Sequence, residues 1–252
     1  MIEQRSHAEG ILELRLSRPP VNALDPAMVE HLGQAFDEAI GGDARALIIS
    51  GSPGMFSAGL DVPELLKLDQ QGMKKFWQSF FGMLGRIARS DIPIVAALTG
   101  HSPAGGTVIA LFADYRIQAE GEFRMGLNEG QVGLVVPPVI HQALVRLIGP
   151  YSAERHLVGG QMIPVTDALD VGLVDEIVAP DQVIDRAVDW CRALLALPAQ
   201  AMAETRRLCR RDLADLFSDP GALDIDSFVN GWFADSTQAT LRALVERLGK
   251  TS

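Results

Sequence analysis

The apolar and polar positions of this chain change period several times, and each change predicts an element. Residues 11–17, ILELRLS, alternate as a half-buried strand does. RPPVNALD (18–25) is turn chemistry, and Asp25 before Pro26 reads as an N-cap followed by an N1 proline. The helix PAMVEHLGQAFDEAI then runs to the Gly41-Gly42 pair. RALIIS (45–50) and IPIVAAL (92–98) are continuous apolar runs, as expected for buried strands. Between them, Asp61 with Glu64 three residues on forms a capping-box pattern, so a helix starts near Asp61. A longer helical stretch covers about 72–90. TGHSPAGG is a glycine-rich turn, GTVIALFADYR a helix leading into the strand YRIQA, and EFRMG a further short strand.

From about Pro137 the pattern turns mostly helical, with one strand, LVDEIVA (173–179), interrupting it. DQVIDRAVDWCRALLAL opens on Asp181 as its expected cap, and Pro198 separates it from AQAMAETRRLCRRDLADLF. A last helical pair covers about 222–234 and 236–248. Strands alternating with helices and then a helical tail define an α/β chain. The expected division is a core over 1–197 and a C-terminal helical subdomain over 198–252.

Composition narrows the functional classes. With 252 residues, 48% of them hydrophobic and 21% charged, the chain can bury a large core without disulfide or metal staples. A net charge of −10 argues against a nucleic-acid protein, which needs a basic face, but leaves room for a small anion held by a few cations. Cys191 and Cys209 sit in helical patterns and read as buried or free thiols in a reducing compartment. The five histidines show no H-x-x-x-H pair, so no metal site is expected. MIEQRSHAEG is polar and carries no apolar signal region. That fits a cytoplasmic protein if the source is bacterial, and equally a mature mitochondrial form. The longest membrane-span candidate, Ile92–Ala113, is broken by Pro93, Pro103 and several glycines.

Four stretches carry candidate chemistry. FSAGLD (56–61) and SPAGG (102–106) each follow a strand and precede a helix. Such turns present free backbone N–H groups where the helix dipole also favours negative charge, so two aimed at one point make an oxyanion hole. Tight strand-to-helix packing is the other reading of each turn. Neither contains G-x-G-x-x-G or a Walker A pattern. GHSPAGG also resembles a hydrolase nucleophile elbow with Ser102 as nucleophile. However, the fifth position is Ala104, and Pro103 lacks the N–H that the elbow uses as an oxyanion donor. In GLNEGQVGL, Glu129 is the one charged residue between Met125 and Val145. It is either a solvated loop carboxylate or a base whose apolar surroundings raise its pKa toward neutrality. In RRLCRR, Arg206 with Arg210 and Arg207 with Arg211 repeat at i,i+4, either as a solvated helix face or as a phosphate receiver.

Taken together, PPVNALD, MFSAGLD, SPAGGTVIALFADYRI and GLNEGQVGL, in this order and spacing, resemble the crotonase (enoyl-CoA hydratase/isomerase) superfamily from about residue 9 onward. The resemblance is strongest to its Δ3,Δ2-enoyl-CoA isomerase branch. It implies a spiral of ββα turns with a C-terminal helical region that trimerises, as a homotrimer or a dimer of trimers. It also implies an acyl-CoA thioester as substrate, a place in β-oxidation, and no cofactor. The backbone N–H groups of Leu60 and Gly105 would be the oxyanion donors. The segment Ser57, Ala58, Gly59, Leu60 and Asp61 would wrap the adenine and pantetheine of CoA, and Glu129 would align with the family's catalytic glutamate. Arg206, Arg207 and Arg210 lie where family tails approach the CoA phosphates. One departure matters: hydratases carry a further glutamate where this chain has Val108. Hydration, thioester hydrolysis or non-catalytic acyl-CoA binding are the alternatives; hydration and hydrolysis would need a second polar group, for which His101 and Ser102 are nearest in sequence. Phe76, Trp77, Phe80 and Phe81 either line an acyl pocket or fill the core.

Overall fold

The computed structural model describes residues 1–251. The chain opens with an antiparallel pair, β1 (Ile2–Ser6) and β2 (Ile11–Leu16), followed by α1 (Pro26–Gly41). Asp25 caps α1 by accepting from Met28 N at 2.7 Å, with Pro26 at the first helical position as its sequence predicts. Three units of similar build come next. The first is β3 (Ala46–Ser50), β4 (Gly54–Met55), the single turn α2 (Val62–Leu65) and the long α3 (Gln70–Arg89). The second is β5 (Ile94–Leu98), β6 (Gly100–Pro103) and α4 (Gly105–Leu111). The third is β7 (Tyr115–Ala119), β8 (Arg124–Gly126), a 3-10 turn (Glu129–Val132), α5 (Pro138–Ile148) and α6 (Pro150–Gly159). β9 (Met162–Pro164), α7 (Val165–Asp170), β10 (Glu176–Val178) and α8 (Val183–Leu195) close the spiral. α9 (Ala199–Cys209), α10 (Arg211–Asp215), α11 (Ile225–Trp232) and α12 (Asp235–Thr251) form the tail.

Each unit gives one strand to each of two sheets. The larger sheet has the order β1-β2-β3-β5-β7-β10 and is parallel apart from β1. The smaller has the order β4-β6-β8-β9, parallel apart from β9. This stack is why RALIIS and IPIVAAL are apolar throughout: β3 and β5 are buried on both faces. One face packs on the main core with α1, α3 and α4, and the other on a second cluster closed by Val183, Ala187, Val188 and Cys191 of α8.

The structure departs from the sequence pattern at several points. The polar N-terminus forms β1, an edge strand whose polar side chains face water. β2 is not half-solvated: Glu13 is buried, accepting from Ser50 Oγ at 2.5 Å and meeting His7 Nε2 at 3.1 Å. Part of TGHSPAGG is strand, because β6 pairs with β4 and β8. Asp181 does not cap α8; Gln182 holds that position without a side-chain bond. The helix after Pro198 breaks at Arg210, into α9 and α10. Leu213, Phe217, Val229, Trp232 and Leu241 of the tail join the main core cluster. Among the described residues no helix is long and apolar enough to cross a membrane.

Candidate active site

Two backbone turns face each other where the smaller sheet meets the helices. The first follows β4. Gly59 holds φ +82, and a Cβ added there would lie 2.9 Å from Ala104 Cβ and 3.0 Å from Gly105 N. Only glycine fits, both for the left-handed backbone and for the close approach. The second turn follows β6. A Cβ on Gly105 would lie 2.8 Å from Leu24 Cδ1 and 3.5 Å from Leu60 N. The N–H groups of Leu60 and Gly105 therefore sit side by side, and among the described residues neither donates to a protein acceptor. Gly105 is the first residue of α4, so its N–H is one that a helix start leaves free.

Between the turns stands Ala104, at φ 46 and ψ −117. A non-glycine residue rarely adopts that conformation, and here it is held by Ala104 N donating to Gly126 O at 2.8 Å. This geometry settles the hydrolase-elbow reading. The half-buried corner of the turn carries the Ala104 methyl group, while Ser102 is fully buried in β6. Its hydroxyl has no partner and does not border the cavity beside the turns. His101 is absent from that wall too; its Nδ1 accepts from Arg124 N at 3.2 Å and its ring packs edge-on to Phe123.

The cavity brings together Leu60, Gly105, Val108 and Glu129, walled by Trp77 and Phe80 of α3 and by Phe228 of α11. Its free space is about 20 Å³, room for roughly one water molecule. Glu129 opens the 3-10 turn after β8, and its backbone is fixed by Leu134 N donating to Glu129 O at 2.9 Å. Part of the residue reaches solvent, but Oε2 is sealed off and has no partner. Burial in this apolar wall pushes the carboxyl up to about 7. Glu129 is the one titratable side chain among the described lining residues. A base must be deprotonated to act. The kcat/KM of a reaction that uses Glu129 is therefore expected to rise with pH through about 7 and level off above it. A pH–rate profile flat between 5 and 9 would exclude Glu129 as the base.

Of the predicted segment 57–61, Leu60 alone lines the cavity among the described residues. Ser57 and Gly59 are buried, while Ala58, Leu60 and Asp61 are half-buried. Asp61 caps α2 through Glu64 N at 3.1 Å and pairs with Arg18 at 2.7 Å, and Arg18 also meets Asp25 at 3.0 Å. The tail arginines all find partners within the chain. Arg206 grips both carboxylate oxygens of Asp114 at 2.9 and 2.8 Å and donates to Ser90 O. Arg210 meets Asp114 at 3.1 Å and donates to Phe112 O at 2.6 Å. Their side chains are only 9% and 7% exposed, so these two guanidinium groups pin the tail to the core. Arg207 is exposed and pairs with Asp91 at 3.1 Å. Phe228, Leu134, Pro137 and Ile140 are cavity residues that the sequence pattern did not single out. The signal available for Phe228 was its i,i+3 and i,i+4 spacing to Ile225 and Trp232 on an amphipathic helix. Among the described residues no group of three or more His, Cys, Asp or Glu side chains is set to hold a metal ion.

A two-sheet spiral with an oxyanion-type pair of N–H groups beside one buried carboxylate defines a crotonase-type site. The chain belongs to the enoyl-CoA hydratase/isomerase family, which it matches over residues 6–250. It is 32% identical over 254 residues to the mitochondrial enoyl-CoA delta isomerase 1 of Rattus norvegicus, covering 98% of this chain and 86% of that one. It is also 34% identical to a probable enoyl-CoA hydratase of Mycobacterium avium, over 82% of this chain and 80% of the relative. The crystal structure of human mitochondrial delta3-delta2-enoyl-CoA isomerase superposes with a TM-score of 0.94 at 30% identity, covering 100% of this chain and 99% of the other.

Proposed function

We propose that this chain is a Δ3,Δ2-enoyl-CoA isomerase. The observation that carries the reading is the cavity wall: Glu129 is the one titratable side chain among its described lining residues, and Val108 lines it too, at the position where the family resemblance puts the further glutamate of hydratases. In this reading the thioester oxygen accepts from the N–H groups of Leu60 and Gly105. Glu129 takes a proton from C2 of a 3-enoyl thioester, and the electron pair moves through the carbonyl to leave a dienolate. The negative charge rests on the oxygen between the two N–H donors, each worth roughly 2.7–4 kcal/mol by analogy with other oxyanion donors. The protonated Glu129 then delivers the same proton to C4, which places the double bond between C2 and C3. One carboxylate alternates as base and acid, so no second acid is required.

Hydration of a 2-enoyl thioester needs more: one group to activate and orient water, another to complete the proton transfer. Valine does neither. The reading calls for no metal or redox cofactor. It includes a role in the oxidation of unsaturated acyl chains and assembly as a homotrimer or a dimer of trimers.

The decisive experiment compares two rates on the same preparation. Isomerisation of a 3-enoyl-CoA is expected to exceed hydration of the matching 2-enoyl-CoA by about 10²-fold or more, the scale of one missing acid–base group. Rapid hydration by the unmodified chain would overturn the single-base argument.

A further inference from the structure

We infer that Asn22 is a positioning residue for the oxyanion donor at Leu60, an assignment that rests on the proposed reading only in placing a thioester oxygen at that N–H. The PPVNALD segment has no other part in the chemistry above. Asn22 is 1% exposed and sits at φ 53, in the left-handed region that asparagine tolerates better than most residues. Its side-chain amide is fully engaged. Oδ1 accepts from Arg18 N at 2.9 Å, and Nδ2 donates to Met55 O at 3.2 Å and Phe56 O at 3.1 Å. Its backbone carbonyl accepts from Ser57 Oγ at 2.8 Å, and that same Oγ accepts from Gly59 N at 3.1 Å.

These bonds hold two strands of chain side by side, 21–24 and 58–61. Ala58 N donates to Val21 O at 2.9 Å, Leu24 N to Gly59 O at 2.7 Å, and Asp61 N to Leu24 O at 3.1 Å. The N–H groups of Ala58, Gly59 and Asp61 are thereby all tied to this segment or its neighbours. Leu60 N–H alone in the stretch has no acceptor among the described residues. The reason lies in peptide geometry. Gly59 C=O and Leu60 N–H belong to one planar unit and point in opposite directions. Leu24 draws the carbonyl toward itself, so the N–H turns away from Leu24, to the side where Gly105 N lies. Asn22 sets the register of that grip: it anchors 21–24 to the carbonyls that lead into the turn. Without the amide, the Gly59–Leu60 peptide loses its fixed tilt while both glycine turns survive.

The variant that isolates this effect is Asn22→Gly, which keeps the left-handed backbone and removes the amide. With a 3-enoyl-CoA substrate, kcat is expected to fall about 10- to 100-fold while KM stays within about threefold, the pattern for a misplaced donor. The second readout is optical. A cinnamoyl-type CoA thioester bound to the unmodified chain is expected to absorb further to the red as the N–H pair polarises its carbonyl, and the variant should lose most of that shift. A residue that serves stability alone would lower Tm and leave both readouts unchanged in the folded variant, and that result overturns the assignment. So does an unmodified chain that gives no red shift. Should Asn22→Gly yield no folded protein, Ser57→Ala removes the single oxygen that links Asn22 to Gly59. Its optical shift is expected to shrink, and an undiminished shift overturns the proposal. A chain that shows the shift, loses it in the variants and yet never isomerises a 3-enoyl-CoA would sink the isomerase reading and leave the Asn22 assignment standing.

Discussion

Replacing Glu129 with glutamine is expected to lower isomerisation of a 3-enoyl-CoA by roughly 10²–10⁴-fold, the range for a group that moves the proton in the transition state. The amide is close in size, so the cavity, the glycine turns and thioester binding should persist, and KM should change little. The same substitution has a second signature, in stability. Burial raises the Glu129 carboxyl from 4.5 to about 7, so the folded chain holds this proton more tightly than the unfolded one. Stability from this group is fully present below the unfolded pKa and is lost as pH rises through the folded one, a change on the order of 3 kcal/mol. Glutamine carries no such proton. The variant is therefore expected to gain Tm relative to the unmodified chain at pH 8 and to show no such gain at pH 4. Intact turnover would remove Glu129 from the mechanism, and a Tm difference independent of pH would show that its carboxyl is not desolvated in solution.

Asp114→Ala is expected to cost about 3–5 kcal/mol of folding free energy, read as a lower denaturant midpoint at unchanged slope. The reason is what stays behind. Asp114 accepts from Ile94 N at 2.8 Å and from both Arg206 and Arg210. Removing it strands two guanidinium groups whose side chains are 9% and 7% exposed. Burial already pushes Arg210 down to about 10, with Asp114 as the main charge opposing that fall. Such a loss is a large fraction of the 5–15 kcal/mol typical of a folded domain. Asp114→Asn should cost less, because it keeps an acceptor for Ile94 N and the arginines. A loss below about 1 kcal/mol for the alanine variant would mean that the arginines find water or another acid when the pair is broken.

What the sequence makes legible follows from what is local. The caps at Asp25 and Asp61, the continuous apolar runs of β3 and β5, and the two glycine turns are each written in a few adjacent residues. Glu129 stands out because no other charge falls within its apolar stretch. Other features depend on partners distant in the chain. Glu13 looks like a solvated strand residue until Ser50 and His7 bond it in a buried position. RRLCRR looks like a basic patch until Arg206 and Arg210 are seen to share Asp114 as a buried partner. Phe228 does not stand out in the sequence, and only the packing of α11 on α3 makes it a cavity wall, in edge contact with Trp77 at 4.3 Å between ring centres. Asn22 reads as turn chemistry, and its second role is visible only once 21–24 lies against 58–61.

The order of strands in the two sheets has a consequence for how the chain acquires its chemistry during synthesis. Strands stack in nearly the order in which they leave the ribosome, so each winding can settle on the one before it. Leu60, Gly105 and Glu129 come from three successive windings, in that sequence. The first N–H donor is in place one winding before its mate, and the carboxylate arrives only with the third. Phe228 comes last, from a helix nearly at the end of the chain. A nascent chain thus holds Leu60 and Gly105 before Glu129, and the cavity beside them gains its Phe228 wall only after α11 has emerged.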